Sequence, residues 1–162
     1  MMQALVDAKD ELKRVDHQIF VSLKHTRTCD VLRNVIARMI EAYEFMIEAL
    51  LKLAVEQSRL PDTPASKIER ASLVKDLYDA EDVLDNLDLY FLLRKIHKDE
   101  TFKRDKEYRR HVTMTSYIDG REELINIDII TNYYHLQRKM FDFVEKLILQ
   151  KWNEGKVVPD DD

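Results

Sequence analysis

The chain has 162 residues, of which 45% are hydrophobic and 35% charged, and its formal net charge is −5. This length suits one compact domain with a buried core and a densely ionic surface. Glycine occurs twice and proline three times, too few for the many tight turns of a β-sandwich, a barrel or a Rossmann sheet. Glycine-rich motifs such as the phosphate-binding P-loop are excluded for the same reason. The composition therefore indicates a mostly helical protein.

The cysteine content and the hydropathy pattern favour an intracellular protein. Cys29 is the single cysteine, so an internal disulfide is excluded. The N-terminal residues lack the apolar stretch of a secretory signal. The most apolar segment, residues 45–55, is far shorter than the ~20 residues that a transmembrane helix needs. We expect a cytoplasmic protein that does not enter a membrane.

Apolar residues recur at spacings of three and four in four segments, the pattern of a helix with a buried face. The first segment predicts a helix over about residues 3–25. Thr28 is a candidate cap for the second helix, which is apolar over more than half of its circumference. Its apolar residues are Leu32, Ile36, Met39, Ile40, Tyr43, Met46, Ile47, Leu50, Leu51, Leu53 and Ala54. We expect this helix to lie at the centre of an antiparallel bundle of four or five helices.

The third helical segment begins at a capping box, Ser66-x-x-Glu69. In such a box the Ser side chain accepts a hydrogen bond from the main-chain N–H three residues later. The apolar pattern then continues to about His97. This pattern allows either one helix or two helices with a break near Asp85 and Asn86.

A different pattern precedes the last helix, where β-forming residues alternate on both sides of Asp119-Gly120. An Asp-Gly pair between two such runs is typical of a β-hairpin with a two-residue turn. We predict strands over about residues 110–118 and 121–127. The alternative is a structured loop without strand pairing.

The last helix follows the hairpin, with Asp128 as a candidate cap and Gly155 as a candidate stop. The residues after Gly155 are mainly acidic or short apolar ones. We therefore expect residues 1–155 to form a single helical-bundle domain and residues 156–162 to form an acidic flexible tail.

Metal and cofactor sites are not indicated by the sequence. The five histidines show neither the HExxH spacing of zinc enzymes nor the Glu-x-x-His pairs of di-iron bundles. Aspartates recur at every third position from Asp76 to Asp88, and this spacing spreads them around a helix instead of bringing them together. Cys29 lies near a helix N-terminus, but no neighbouring base is available to activate it. We expect no metal and no cofactor.

A local excess of positive charge lies in residues 102–111, FKRDKEYRRH, which we term the basic segment. Its cations are Lys103, Arg104, Lys106, Arg109 and Arg110, with Arg121 in the adjoining hairpin. Phe102 and Tyr108 are interleaved with them, and this combination is typical of surfaces that bind phosphates and stack bases. The alternative is a solvated connector whose arginines form ion pairs with acidic residues of this or another subunit.

The order of the helices resembles the HEPN superfamily of small helical bundles. Three segments carry the resemblance, namely RNVIARMIEAYEFMIEALLKLA, LDLYFLLRKIH and YYHLQRKMFDFVEKLI. Many ribonucleases of this superfamily have an Arg followed, after about four to six residues, by a His, and Arg104 and His111 fit that spacing. The resemblance implies metal-independent RNA cleavage in active members, with the arginine holding the phosphate and the histidine acting on the 2′-oxygen. Many other members serve as non-catalytic binding modules.

These observations leave two functions open. The first is a HEPN-like interaction module that binds a protein partner. The second is a metal-independent RNA-binding or RNA-cleaving protein that uses the basic segment, with Arg104 and His111 as its catalytic pair. Its nucleic-acid-binding residues would then be Lys103, Lys106, Arg109, Arg110 and Arg121.

A homodimer is expected in either case. The second and last helices carry more aromatic side chains than one face of each can hide, namely Tyr43, Phe45, Tyr133, Tyr134 and Phe141. Phe45 and Phe141 also interrupt the polar faces of these helices. Exposed aromatic side chains in such places are typical of subunit contacts. The sequence therefore predicts a two-fold dimer.

Overall fold

The computed structural model describes residues 1–156, of which 71% are helical, and it includes a small three-stranded antiparallel sheet. The helical elements are α1 Met2–His17, a π-helical segment Gln18–Ser22, α2 Leu23–His25, α3 Cys29–Glu56, α4 Lys67–Leu77, α5 Glu81–Lys98 and α6 Ile127–Lys156. The strands, β1 Lys103–Asp105, β2 Thr113–Ile118 and β3 Arg121–Asn126, lie between α5 and α6. Because α1, the π-helical segment and α2 form one continuous helix, the described residues contain five helices, as expected. None of these helices is both long and apolar enough to span a membrane.

Helix α3 packs against α1, α4, α5 and α6 because its surface is apolar on nearly all sides. Thr28 caps it as predicted, with its hydroxyl oxygen accepting a hydrogen bond from the Val31 N–H at 3.3 Å. Of the eleven predicted apolar positions, all except the partly buried Ile40 are fully buried. The central position predicted for this helix is therefore confirmed.

The first helix contains a widened turn that the sequence pattern did not predict. In the π-helical segment, Phe20 and Val21 face the solvent, while Ile19 and Leu23 remain buried. A π-helical turn accommodates an additional residue without ending the helix. The segment thus exposes two apolar side chains near the end of an otherwise regular helix.

The third helical segment consists of two helices, but their break lies at residues 78–80 instead of near Asp85 and Asn86. The side chain of Tyr78 is buried, and its hydroxyl donates a hydrogen bond to the Leu50 carbonyl of α3 at 3.1 Å. Asn86 lies inside α5, where its side-chain oxygen accepts a hydrogen bond from the Tyr43 hydroxyl. A tertiary contact, and not the local sequence, therefore sets the position of the break.

Both predicted ends of the last helix need correction. Asn126, not Asp128, caps α6, because the Asn126 side-chain oxygen accepts a hydrogen bond from the Ile129 N–H at 2.8 Å. Asp128 forms an ion pair instead. Gly155 does not end the helix, which continues to Lys156. The remainder of the predicted tail, residues 157–162, lies outside the described residues.

The predicted hairpin is confirmed as β2 and β3, joined by a two-residue turn. Asp119 and Gly120 both have positive φ angles, 52° and 78°, as a type I′ turn requires. A third strand, β1, was not predicted and pairs with β2, so that the strand order is β1-β2-β3. Met114 and Ile125 are partners across β2 and β3, and both are buried on the face that packs against the helices.

The main premise of the dimer prediction is wrong. Three of the five aromatic side chains, Tyr43, Tyr134 and Phe141, are buried in the core of a single chain, so they cannot mark a subunit contact. Phe45 and Tyr133 are only partly buried. The dimer prediction therefore needs support from another surface.

The central position of α3 can be tested with Leu50→Asp. This change places an unpaired charge among apolar side chains, at a cost of several kcal/mol against a total stability of about 5–15 kcal/mol. We expect loss of the cooperative unfolding transition in urea. Asn34→Asp, at an exposed position of the same helix, is the matched control and should unfold nearly as the wild type does. A folded Leu50→Asp variant would contradict the central position.

Candidate functional site

The basic segment forms β1 and the loop that connects it to β2. This loop is bonded to the end of the first helical region, because the Tyr108 N–H donates to the Arg27 carbonyl at 2.6 Å. Lys106 and Tyr108 have left-handed backbone angles, with φ of 51° and 67°, which are uncommon for residues with a side chain. The ring of Tyr108 is 79% exposed. The loop is therefore fixed by its main chain and presents its aromatic side chain to the solvent.

Arg104 is held by acidic side chains of the same chain. Its guanidinium lies 2.9 Å from the Asp30 carboxylate and 3.3 Å from the Glu107 carboxylate. The hydrogen bond to Asp30 is the main reason that the pKa of Arg104 is raised above its ordinary value. The ring of Phe102 lies 4.8 Å from the guanidinium carbon. Arg104 therefore connects β1 to the first turn of α3.

Glu107 makes a second connection to the same helix end. Its carboxylate accepts a hydrogen bond from the Cys29 N–H at 3.2 Å, where a negative charge is favourable at a helix N-terminus. The Cys29 side chain is fully buried. Burial, reinforced by the charge of Glu107, raises the pKa of its thiol. A buried thiol with a raised pKa is a poor nucleophile, and Cys29 is accordingly a structural residue.

His111 is exposed at the end of the same loop, two residues before β2. Its main-chain carbonyl accepts a hydrogen bond from the Thr113 hydroxyl at 2.8 Å. Among the described residues, no hydrogen bond or ion pair joins the side chains of His111 and Arg104. The expected catalytic residues thus lie in one segment, with Arg104 committed to other partners.

The remaining cations of the basic segment divide into two groups. Arg110 forms an ion pair with Asp128, with a nitrogen-to-oxygen distance of 2.7 Å. Lys103, Lys106 and Arg109 form no ion pair with any residue from 1 to 156. Three cations of the segment are therefore available to a binding partner.

Arg121 lies away from the cations of the basic segment. It pairs in register with Ile118, at the end of β2 remote from Thr113 and the loop. The five-residue separation along the strand corresponds to roughly 17 Å. Of the six predicted nucleic-acid-binding and phosphate-holding cations, Arg121 is therefore the one that lies apart.

A groove with a volume of about 290 Å³ lies between the π-helical segment, the residues after α2 and the start of α6. We term it the basic groove. Its lining residues are Ile19, Phe20, Leu23, Lys24, Arg27, Arg110, Ile127, Asp128 and Thr131. They combine an apolar floor with three cations and one carboxylate. The sequence pattern did not reveal it, because its residues come from three distant segments.

The second exposed feature is the open face of the sheet, opposite the face that packs on the helices. Lys103, Thr115 and Leu124 are register partners across the three strands and therefore share this face. Tyr117 and Glu122 form the next pair, and the Tyr117 hydroxyl donates to Glu122 at 3.0 Å. Tyr117 and Leu124 are both exposed. The open face thus exposes Tyr117 on the central strand and Leu124 on β3, with Lys103 and Asp105 on β1 and Glu122 on β3.

Comparisons with known proteins do not identify a family, because no family model, curated protein or solved structure matches the chain. Within residues 1–156, no group of three or more His, Cys, Asp or Glu side chains is arranged to hold a metal ion. The function must therefore be inferred from the basic segment, the basic groove and the open face.

The connection through Glu107 can be tested by its contribution to stability. Glu107→Ala removes the acceptor for the Cys29 N–H and a partner of Arg104, and we expect a loss of about 1–3 kcal/mol. Urea unfolding measures this loss. Glu100→Ala, which removes an exposed carboxylate just before β1, should change stability by less than about 0.5 kcal/mol. Equal stabilities of the two variants would show that Glu107 does not fix the loop.

Proposed function

We propose that the protein is a non-catalytic helical-bundle interaction module that forms a homodimer through the open face of its sheet. The observation that carries this proposal is the exposure of Tyr117 and Leu124 beside each other on that face. Aromatic and aliphatic side chains that are exposed together are typical of protein contact surfaces.

A two-fold dimer requires a surface that is complementary to itself. The open face carries Lys103 and Asp105 on edge strand β1 and Glu122 on edge strand β3. Two copies packed face to face about a two-fold axis bury Tyr117 and Leu124 and bring Lys103 of each copy towards Glu122 of the other. Apolar contacts flanked by pairs of opposite charge are usual in protein interfaces.

The contacts of Arg104 support a non-catalytic role. An arginine that holds a phosphate must be free to donate to it, whereas Arg104 donates to Asp30 and Glu107. This is the alternative in which the arginines of the basic segment form structural ion pairs. A HEPN-like relationship remains part of the proposal, supported by the helical bundle and the order of its helices.

The dimer can be tested with Leu124→Lys. A lysine in place of Leu124 must be desolvated on association, so we expect sedimentation to change from dimer to monomer at tens of micromolar protein. Ile68→Lys, at an exposed apolar position in α4, is the matched control and should remain dimeric. A wild-type protein that is monomeric at these concentrations would refute the proposed dimer.

A second candidate function is the binding of single-stranded RNA, favoured by the loop of the basic segment. Lys106 and Arg109 have no ion-pair partner among residues 1–156, and they flank the exposed ring of Tyr108. Unpaired cations beside an exposed aromatic ring provide phosphate contacts and a stacking surface. This candidate uses a different surface from the open face.

RNA binding can be tested by its salt dependence. The logarithm of the affinity for oligouridylate should fall with the logarithm of salt concentration, with a slope of about −0.7 per phosphate contact. Replacing Lys106 and Arg109 with alanine should flatten the slope by about 1.4, because two phosphate contacts are lost. Replacing the exposed Lys9 and Lys13 of α1 removes the same charge and should leave the slope unchanged.

Cleavage would require His111 in addition. His111→Ala should then abolish cleavage while preserving binding, since proton transfer and phosphate contact use different groups. Absence of binding even at low salt would eliminate RNA as a ligand.

A further inference from the structure

We infer that the basic groove binds a short acidic segment of a partner protein, with carboxylates on Arg27 and Lys24 and an apolar side chain on the groove floor. This inference goes beyond the proposed dimer and uses a different surface. It rests on the state of Arg27, on the composition of the groove floor and on the size of the groove.

Arg27 is a partly buried cation without a counter-charge in the described chain. It forms no ion pair with any residue from 1 to 156, and its Nε–H is buried without a hydrogen-bond acceptor. Leaving a charged donor desolvated and unpaired is costly. The buried Nε lies out of reach of a ligand, but the two Nη groups of the same guanidinium are neither buried nor hydrogen-bonded to residues 1–156. A carboxylate in the groove can accept hydrogen bonds from these groups and balance the charge.

The other two cations of the groove have different environments. Arg110 is occupied by Asp128 at 2.7 Å, so its charge is largely balanced. Lys24 is exposed and forms no ion pair with the described residues. The positive charge that remains open to a ligand therefore lies at Arg27 and Lys24, both in the short stretch that ends the first helical region.

The floor of the groove favours a ligand that also carries an apolar group. Ile19, Leu23, Ile127 and Phe20 line it, and the Phe20 ring is 42% exposed in this chain. Covering an exposed apolar side chain is favourable by roughly 25 cal/mol for each Å² removed from water. The ligand that fits is therefore an acidic one with an apolar group next to its carboxylates.

A protein segment fits this groove better than a nucleic acid does. The volume of about 290 Å³ is at the lower limit of ligand pockets and suits one or two side chains. The floor is largely aliphatic, whereas single-stranded nucleic acids stack on aromatic surfaces.

The inference is tested by titrating the full chain with the blocked peptide LDEDE at low ionic strength. We expect saturable binding that weakens with added salt. The amide peptide LNQNQ and the peptide GDEDE, which lacks the apolar residue, should each bind at least about tenfold more weakly. Binding of GDEDE as tight as that of LDEDE would overturn the role of the apolar floor.

Arg27→Ala should weaken the binding of LDEDE at least about tenfold, because it removes one of the two open cations and the only open guanidinium of the groove. Arg121→Ala removes an exposed arginine at the far end of the hairpin and should leave affinity within about twofold. Lys24→Ala should also weaken the binding of LDEDE. Because Lys24 is exposed, this variant tests the groove without disturbing a partly buried residue. Equal weakening by Arg27→Ala and Arg121→Ala would reduce the binding to general electrostatics and overturn the inference.

Two further outcomes are decisive. No saturable binding of LDEDE at millimolar concentration, or tighter Arg27-dependent binding of hexauridylate than of LDEDE, would overturn the acidic-peptide assignment. Leu124→Lys should leave LDEDE binding unchanged, since it lies on the open face. Failure of the dimer and failure of the groove are therefore distinguishable.

Discussion

The burial of α3 on nearly all sides constrains the rest of the structure. A helix with an apolar stripe needs a single neighbour, whereas a helix that is apolar around most of its circumference must be enclosed. The enclosing helices α1, α4, α5 and α6 are therefore fixed in place by one element of 28 residues. The exposed surfaces of the protein then lie at the ends of this core and on the sheet. The sheet and the basic segment are attached at the N-terminal end of α3, where Asp30 and the Cys29 N–H provide the contacts.

Local patterns in the sequence were sufficient for most of the fold. The helices follow from apolar spacing, and the hairpin follows from Asp119-Gly120, because each pattern involves residues close in the chain. The features that could not be predicted depend on distant contacts. The break at 78–80 depends on the contact between Tyr78 and Leu50, and β1, a short run of charged residues, is a strand only because it pairs with β2.

The candidate site likewise combines features that local sequence predicts with features that depend on distant contacts. The sequence identified the basic segment from its composition, but it could not show that Arg104 contacts Asp30, which lies 74 residues away in the chain. Arginine–histidine spacing is compatible with many arrangements, since spacing along a loop does not determine where side chains point. The basic groove could not be predicted because its cations, Lys24, Arg27 and Arg110, form no pattern along the sequence. Only the fold brings them together around one apolar floor.

The attachment of the sheet to α3 also determines which amides report local opening of the protein. The bond between Glu107 and the Cys29 N–H joins residues 78 positions apart, so it closes a large loop. Extra length adds little to the entropic cost of such closure, so the long separation does not by itself weaken the connection. In native-state hydrogen exchange, the amides of Cys29 and Tyr108 report the docking of the sheet onto the bundle, whereas amides in the middle of α3 report global unfolding. Because Val112, Met114 and Ile125 belong to the same buried cluster as α3, this comparison of exchange rates distinguishes a sheet that undocks separately from one that unfolds together with the helices.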